Sequence, residues 1–476
     1  MLKKKKLKFN FLFYDYETFG LNPKKDRIAQ FACIRTDINL NIIESPIVLY
    51  CQLPNDYLPD PKSIIIHNIS PYMVNLKGFK ENKFANYINK IFLYPNTCIL
   101  GYNNINFDDE FSKFLFYRNF YDAYSWFWKN NNSRWDILNL VRACYVLRPN
   151  GILWPKINNI PIFNLQKIAV LNKIITYRNN AAHDALSDVY TTISITKLIK
   201  KKQPLLYKYF FKYRNKKELI KIINFSKIQI LIHISNFYKN KNNNINCITP
   251  LFWHPKNKNI LIVFNLIKNI NNFLEILKNS NQLNKENIFS YIKFINFSKS
   301  PLLVPINILK KIDIQRLNFN IVFYLNNFIK LKKFFLKIKK IIKFIIIDFN
   351  QIYDKTNIYN VDEQLYKNFF SKIDILKFTQ IHDKKFININ LNKISFKDKR
   401  ANVLLLKYKA RNFPFILNKR EQKKWNIYQK NIFNKNFLDN YILEVKKLLK
   451  NQLCKKKILV LKNLLKYTKY LYKKLF

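Results

Sequence analysis

Three groups of acidic residues stand where acids need a physical reason. The first, Asp15-Tyr16-Glu17, closes the apolar run FNFLFY. Side chains at i and i+2 of a strand point to the same face, so these two carboxylates would sit side by side, roughly 6–7 Å apart by backbone rise. At an effective dielectric of about 20 their repulsion is roughly 2–3 kcal/mol. A buried strand does not keep that arrangement without a compensating cation, whereas an exposed strand end with two solvated acids needs none. An all-oxygen donor set suits magnesium or manganese. The second group lies in CILGYNNINFDDE, where a strand ending at Gly101 leads through an asparagine loop to Asp108, Asp109 and Glu110 at an expected helix start. Acids there also serve as ordinary caps. The third is AAHDALSDVY, in which His183 precedes Asp188 at the opening of a helical pattern. A histidine titrates near neutrality and can take a proton from water at cellular pH. It can equally be a cap or a satisfied core residue.

These residues need a scaffold. Apolar segments at 9–14, 28–36, 47–53 and 96–102 predict strands, and the spacing predicts helices over 108–120, 135–148 and 183–200. Together they define a mixed α/β domain spanning 1–200, with IKKKQP at 199–204 as a linker. Over 205–355 the runs at 228–235, 259–266 and 344–350 predict strands in a small β-rich domain, separated by Lys/Asn-rich loops such as 240–246. From NVDEQLY at 360–366 onward, helical spacing dominates a third region, 357–476. Its last stretch alternates apolar and lysine positions, as a core-facing helix with a solvated lysine face would, or a membrane-surface helix. The four glycines fall at 20, 78, 101 and 151. Beyond Gly151, asparagine must supply many of the positive-φ turn positions.

Composition narrows the class. Of 476 residues 49% are hydrophobic, enough for a sizeable core. No run approaches the ~20 apolar residues of a membrane span. The basic N-terminus imitates a signal peptide, but its apolar stretch is short, ends in acids and precedes no small-residue cleavage site, so a cytoplasmic chain without membrane association is expected. None of the six cysteines forms a CxxC pair, which argues against both zinc and a disulfide framework. The net charge of +55 fits a polyanionic partner. It also fits codon bias, since the abundant Lys, Asn, Ile, Phe and Tyr have AT-rich codons.

The order of the three acidic groups resembles the DEDD superfamily of 3′→5′ exonucleases in its histidine-bearing subgroup. The segments FLFYDYETFG, AQFACIRTD, ILGYNNINFDDE, SRWDILNLVRACYVLRPNGI, AHDALSDVY, PLFWHP, NVDEQLYKNFF and YKARNFP extend the likeness. They resemble the bacterial exonuclease I family over essentially the whole chain. The resemblance implies an α/β RNase H-like exonuclease domain, an SH3-like β-barrel domain over 205–355 and an α-helical domain over 357–476. It implies 3′→5′ degradation of single-stranded DNA to nucleoside 5′-monophosphates by two-metal-ion hydrolysis, in DNA repair and recombination. Asp15, Glu17 and Asp188 would hold two Mg2+ ions, with Mn2+ a possible substitute. Asp108 would act as an outer ligand and His183 as the general base; Asp184 would cap or orient. By the same resemblance Glu17, Lys113, Tyr124, Trp128, Arg142, Lys216, Asn259, Lys299 and Tyr366 would contact DNA. Phe19 and Trp126 are further aromatics that could stack on bases. The implied partners are single-stranded DNA and the acidic tail of single-stranded-DNA-binding protein, and the implied state is a monomer. Asn164 departs from the pattern, standing where the family has an arginine. A related RNA-end or proofreading exonuclease would lack the large C-terminal half, and a decayed DNA-binding protein would not keep all five catalytic residue types.

Overall fold

The computed structural model describes residues 8–174, 184–235, 244–278, 285–349, 360–382, 391 and 394–476. The chain forms two compact units: Met1–Ser133 with Thr176–Ile193 and Asn357–Phe476, and Arg134–Ile175 with Ser194–Thr356.

The first unit is built on a sheet containing β1 (Asn10–Thr18), β2 (Ile28–Thr36), β3 (Ile47–Tyr50) and β4 (Thr97–Gly101), in the order β3-β2-β1-β4; the sheet's fifth strand, β5 (Ser133–Asp136), begins at the unit's last residue. β2 runs antiparallel to β1 and β3, while β4 is parallel to β1. Alternation sorts the β1 side chains. Leu12, Tyr14 and Tyr16 join Phe31 and Cys33 of β2 in a core with Phe84, Ile88 and Phe92 of the helix Glu81–Phe92, Phe111 and Leu115 of the helix Asp108–Arg118, and Trp126. Asp15 and Glu17, at the intervening positions, therefore project from the opposite face. A second core joins Phe19, Ala29, Ile64 and Val74 to Tyr441, Val445, Leu461 and Leu464. These last come from the helices Lys435–Lys450 and Lys455–Leu475, so the C-terminal stretch is core-facing.

The second unit holds a hairpin of β6 (Lys156–Ile157) and β7 (Ile160–Pro161), and a five-stranded sheet. The sheet consists of β8 (Leu231–Ile234), β9 (Ile245–Trp253), β10 (Ile260–Asn265), β11 (Ile292–Asn296) and β12 (Leu302–Pro305), in the order β11-β10-β9-β8-β12. Leu231, Ile248, Leu261, Val263, Ile295, Phe297 and Leu303 fill its core.

Several expectations need correction. The run FIIIDFN is not a strand; its described residues end the helix Ile321–Phe349, whose buried Leu331, Phe335, Ile338, Ile342 and Ile346 repeat at helical spacing. A short apolar run has no period that separates the two readings. The expected linker at 199–204 is helical: one helix runs Ala185–Lys202, and Pro204 opens the next, Pro204–Tyr213, at a first-turn position where its missing N–H costs nothing. β1 runs past the apolar segment 9–14 to Thr18 and carries the Asp15-Tyr16-Glu17 triplet, as the alternation argument requires. β3 stops at Tyr50, and Cys51 continues only as an isolated bridge to Phe79. All six cysteines are free, and only Cys454 is exposed. Among the described residues no helix is long and apolar enough to cross a membrane.

Candidate active site

Asp15 and Glu17 occupy the C-terminal half of β1, opposite Ala32 and Gln30 of β2. The register slips between Glu17 and Thr18, a bulge of the kind that ends pairing and re-aims side chains beside a site. The helix Ala185–Lys202 brings Asp188 to them from its first turn, where the Asp188 N–H donates to the Asp184 carbonyl at 3.1 Å. Asp15, Glu17 and Asp188, each half-buried, offer one carboxylate oxygen apiece, all within 4.8 Å of one another.

Asp108 is brought in by a different device. The parallel strands β1 and β4 approach so closely at Gly101 that a Cβ there would stand 2.6 Å from the Tyr14 carbonyl oxygen. The chain then turns through Asn103, at φ 66°, and the buried Asn104. Asp108 begins the helix Asp108–Arg118 but does not cap it; the capping position is Phe107. Instead its buried carboxylate accepts the Tyr16 N–H at 3.1 Å, between the two β1 acids. Asp109 serves structure, accepting from the Tyr14 hydroxyl at 2.6 Å and the Asn104 amide at 3.1 Å. Asp184 caps, its carboxylate accepting the Ser187 N–H at 3.3 Å. His183 lies outside the described residues.

The electrostatics follow from this crowding. Burial, then Asp108, Asp188 and Glu17, hold the Asp15 carboxyl well above the usual carboxylate range. Burial, then Asp188, Asp108 and Asp184, push Glu17 up to about 9. Like charges this close ionise together only when a cation offsets them. Three hard oxygen donors in a half-buried cluster fit a divalent cation such as magnesium or manganese.

The remaining expected contacts divide by unit. In the first, Lys113 is buried with its ammonium 2.7 Å from Glu110 Oε1, and the exposed Tyr366 donates its hydroxyl to Glu110 Oε2. Glu110, named in the sequence only as an acid at the helix start, thus joins two expected contacts. Tyr124 is half-buried against the exposed Phe369 ring, and Trp128 is 61% exposed. Phe19 and Trp126 are corrections. Both are fully buried, Phe19 against His67 and Trp126 against Phe92, so neither presents a face for a base to stack on. In the second unit Lys216 donates to the Asn259 side chain, and the Asn259 carbonyl accepts the Phe297 N–H at 2.8 Å, two residues before the exposed Lys299. Three expected contacts therefore gather there. Arg142 is half-buried on the helix Ile137–Leu147. Asn164 caps the helix Leu165–Leu171, accepting the Lys167 N–H at 3.0 Å.

A carboxylate cluster toward the C-terminal end of the central strand of this sheet fits a nuclease, and comparison with known proteins makes the class specific. Family models match in order along the chain: an exonuclease model over residues 12–196, the exonuclease I SH3-like domain over 214–345 and the exonuclease I C-terminal domain over 359–471. The chain is 44% identical to exodeoxyribonuclease I of Buchnera aphidicola subsp. Schizaphis graminum over 99% of its length and 98% of the relative's. It is 38% identical to that of Escherichia coli K12, over 98% and 99%. E. coli exonuclease I in complex with a dA16 oligonucleotide superposes with a TM-score of 0.89 at 37% identity, covering 98% of this chain and all of that one. The zinc-bound form of the E. coli enzyme with single-stranded DNA gives 0.89, and an exonuclease I complex with SSB-Ct 0.88, both at 38% identity and the same coverage. The chain belongs to the exonuclease I family: a phosphodiester hydrolase of the exodeoxyribonuclease I type, with an RNase H-like exonuclease domain, an SH3-like domain and a C-terminal helical region.

Proposed function

We propose that this chain degrades single-stranded DNA from the 3′ end, releasing nucleoside 5′-monophosphates, in DNA repair and recombination. The observation that carries the reading is the convergence of Asp15, Glu17 and Asp188 oxygens within 4.8 Å in a chain of this family. These three residues would hold two magnesium ions, or manganese in their place; the zinc-bound form of the E. coli relative supports a divalent site. When bound, such ions make water a better nucleophile and stabilise charge on the leaving 3′ oxygen.

The protein groups have separate tasks. Asp108, fixed by the Tyr16 N–H, serves as the outer acid. His183 accepts the proton of the attacking water, a role that needs a group titrating near neutrality. Glu17 also contacts the terminal nucleotide. Tyr124, Trp128 and Tyr366 offer aromatic faces, which tolerate any base sequence. Lys113, Arg142, Lys216, Asn259 and Lys299 hold the backbone. The matched domains support a division into 1–200, 205–355 and 357–476. Complexes of exonuclease I relatives with an oligonucleotide and with SSB-Ct support two partners, single-stranded DNA and the acidic tail of single-stranded-DNA-binding protein. We place the chain in the cytoplasm as a monomer.

Digestion of 3′- and 5′-labelled DNA and RNA oligomers, single- and double-stranded, with magnesium or EDTA, tests the reading. Mononucleotides released from single-stranded DNA alone, from the 3′ end and only with magnesium, are expected. Metal-independent cleavage or a preference for RNA would overturn it.

A further inference from the structure

The β2 segment IAQFACIRT carries one amide side chain in an otherwise largely apolar buried strand, and Gln30 is only 2% exposed. Its register places it directly opposite Glu17 on one side and Tyr50 on the other. Directly opposed residues of antiparallel strands share a face, so Gln30 lies on the face that bears the candidate metal ligands. Both ends of its amide are used. Nε2 donates to Asp184 Oδ1 at 3.0 Å and to the Tyr50 hydroxyl at 3.2 Å, while Oε1 accepts the Ala185 N–H at 3.4 Å. Asp184 in turn accepts the Asp188 N–H on its carbonyl and the Ser187 N–H on its other carboxylate oxygen. A continuous path therefore runs from the strand holding Glu17, through Gln30 and Asp184, to the backbone of Asp188.

We propose that Gln30 is a positioning residue of the catalytic site: it docks the first turn of the Asp188 helix against the strand bearing Glu17 and so sets the spacing of the metal-binding carboxylates. The inference rests on the nuclease reading above. Only a neutral amide meets the demands of this position. With Asp184 ionised, it must donate to a carboxylate, accept from a helix N-terminal amide and add no net charge to the cluster around Glu17. A glutamate would keep the acceptor but place a further like charge against Asp184 and Glu17. By occupying Asp184 Oδ1, Gln30 also leaves Asp184 as a cap and outside the ligand trio.

The test compares Gln30→Met, which keeps the volume and removes the hydrogen bonds, with Gln30→Glu and the double variant Gln30→Glu/Asp184→Asn. In the double variant the donor and acceptor exchange sides, and asparagine remains a competent cap. Mn2+ affinity is measured by electron paramagnetic resonance, and kcat and KM on a single-stranded oligomer separately. Partners that orient metal ligands typically contribute about 10–100-fold in affinity or activity. Gln30→Met and Gln30→Glu are expected to lose that much in Mn2+ affinity and kcat, with KM for DNA within about twofold and the thermal midpoint of the cation-free protein little changed. The double variant should recover most of the loss. Wild-type Mn2+ affinity in Gln30→Met, or no recovery in the double variant, would overturn the proposal. A chain that binds Mn2+ in this Gln30-dependent way yet cleaves no DNA would overturn the nuclease reading and leave the positioning role standing.

Discussion

Ionised Glu17 is more costly in the folded chain than in water, and this makes cation binding pH-dependent. Its folded value of about 9 stands above the ordinary 4.5, because burial and the Asp188, Asp108 and Asp184 charges disfavour the anion. Asp15 is raised for the same kinds of reason. A raised carboxyl value means that the folded state keeps a proton that the unfolded state loses. Stability of the cation-free protein is thus fully present below pH 4.5 and declines as pH rises through the window to about 9. A divalent cation replaces those protons, so its apparent affinity rises with pH, by at most about tenfold per pH unit for each proton displaced. Thermal melts with and without magnesium should show a midpoint gain that is small at pH 6 and larger at pH 8.5. An equal gain at both would show that Glu17 and Asp15 are not the groups titrating against the ion. Asp15→Asn removes one charge from the proposed ligand set and leaves the proposed aromatic and basic contacts in place. It is expected to abolish magnesium-dependent cleavage while single-strand binding, followed by anisotropy, persists; normal cleavage by this variant would remove Asp15 from the metal site.

At the scale of elements, local chemistry decided what the sequence could reveal. The Asp15–Glu17 pair was readable because a strand's alternation puts i and i+2 on one face whatever surrounds it, and both lie on β1. The helix starts near Asp108 and Asp188 were readable from their acid-rich first turns. The strand expected at 344–350 failed because a β-branched apolar run looks the same at the end of a long buried helix, where the deciding contacts come from Leu331, Phe335, Ile338 and Ile342 upstream. Phe19 and Trp126 failed because an aromatic next to a site fills a core as readily as it faces a ligand. Gln30 had a signal, a polar side chain inside a buried strand, but its partner Asp184 is fixed only by tertiary structure. Asn164 is where an element's stability and its function meet. As an N-cap it contributes about 1 kcal/mol, whereas the family resemblance places an arginine there. Asn164→Arg is therefore expected to lower the melting midpoint by a few degrees through loss of the cap, and to lower KM for a single-stranded oligomer by restoring a phosphate contact. An unchanged KM would mean that other cations already serve this position.

At the scale of the molecule, the first unit is tied together by buried charge. Arg411 pairs with Asp56 at 2.6 Å and with Asp362; Lys407 meets Asp362 at 3.3 Å; Arg27 lies 3.5 Å from Asp362; and Arg118 pairs with Glu81 at 2.7 Å. Asp362 and Arg411 are thereby fastened to Arg27 and Asp56 in the segment bearing the β1 acids. Burial opposes ionisation of Asp362, but Arg411 and Lys407 overcome it and hold the carboxyl well below its ordinary value. A depressed value gives stability that is present at neutral pH and lost as pH falls through the folded value. Asp362→Asn leaves buried cations short of a partner, which costs about 3–5 kcal/mol. Urea titration should show that loss at pH 7 and a smaller one in acid; no loss at pH 7 would make the network dispensable. Charge on the surface poses the complementary question, because +55 is compatible with either binding or codon bias. The two differ in their response to salt. Lysines that only decorate the surface release no counterions when a single strand binds, whereas each phosphate neutralised contributes a log–log slope of about −0.7. If Lys113, Arg142, Lys216 and Lys299 hold phosphates, affinity for single-stranded DNA should fall with a slope of roughly −3. Replacing Lys216 and Lys299 together by glutamine should make it shallower by roughly 1.4. A slope near zero in the wild-type chain would assign the lysine excess to composition alone, and an unchanged slope in the double variant would move the phosphate path away from Asn259.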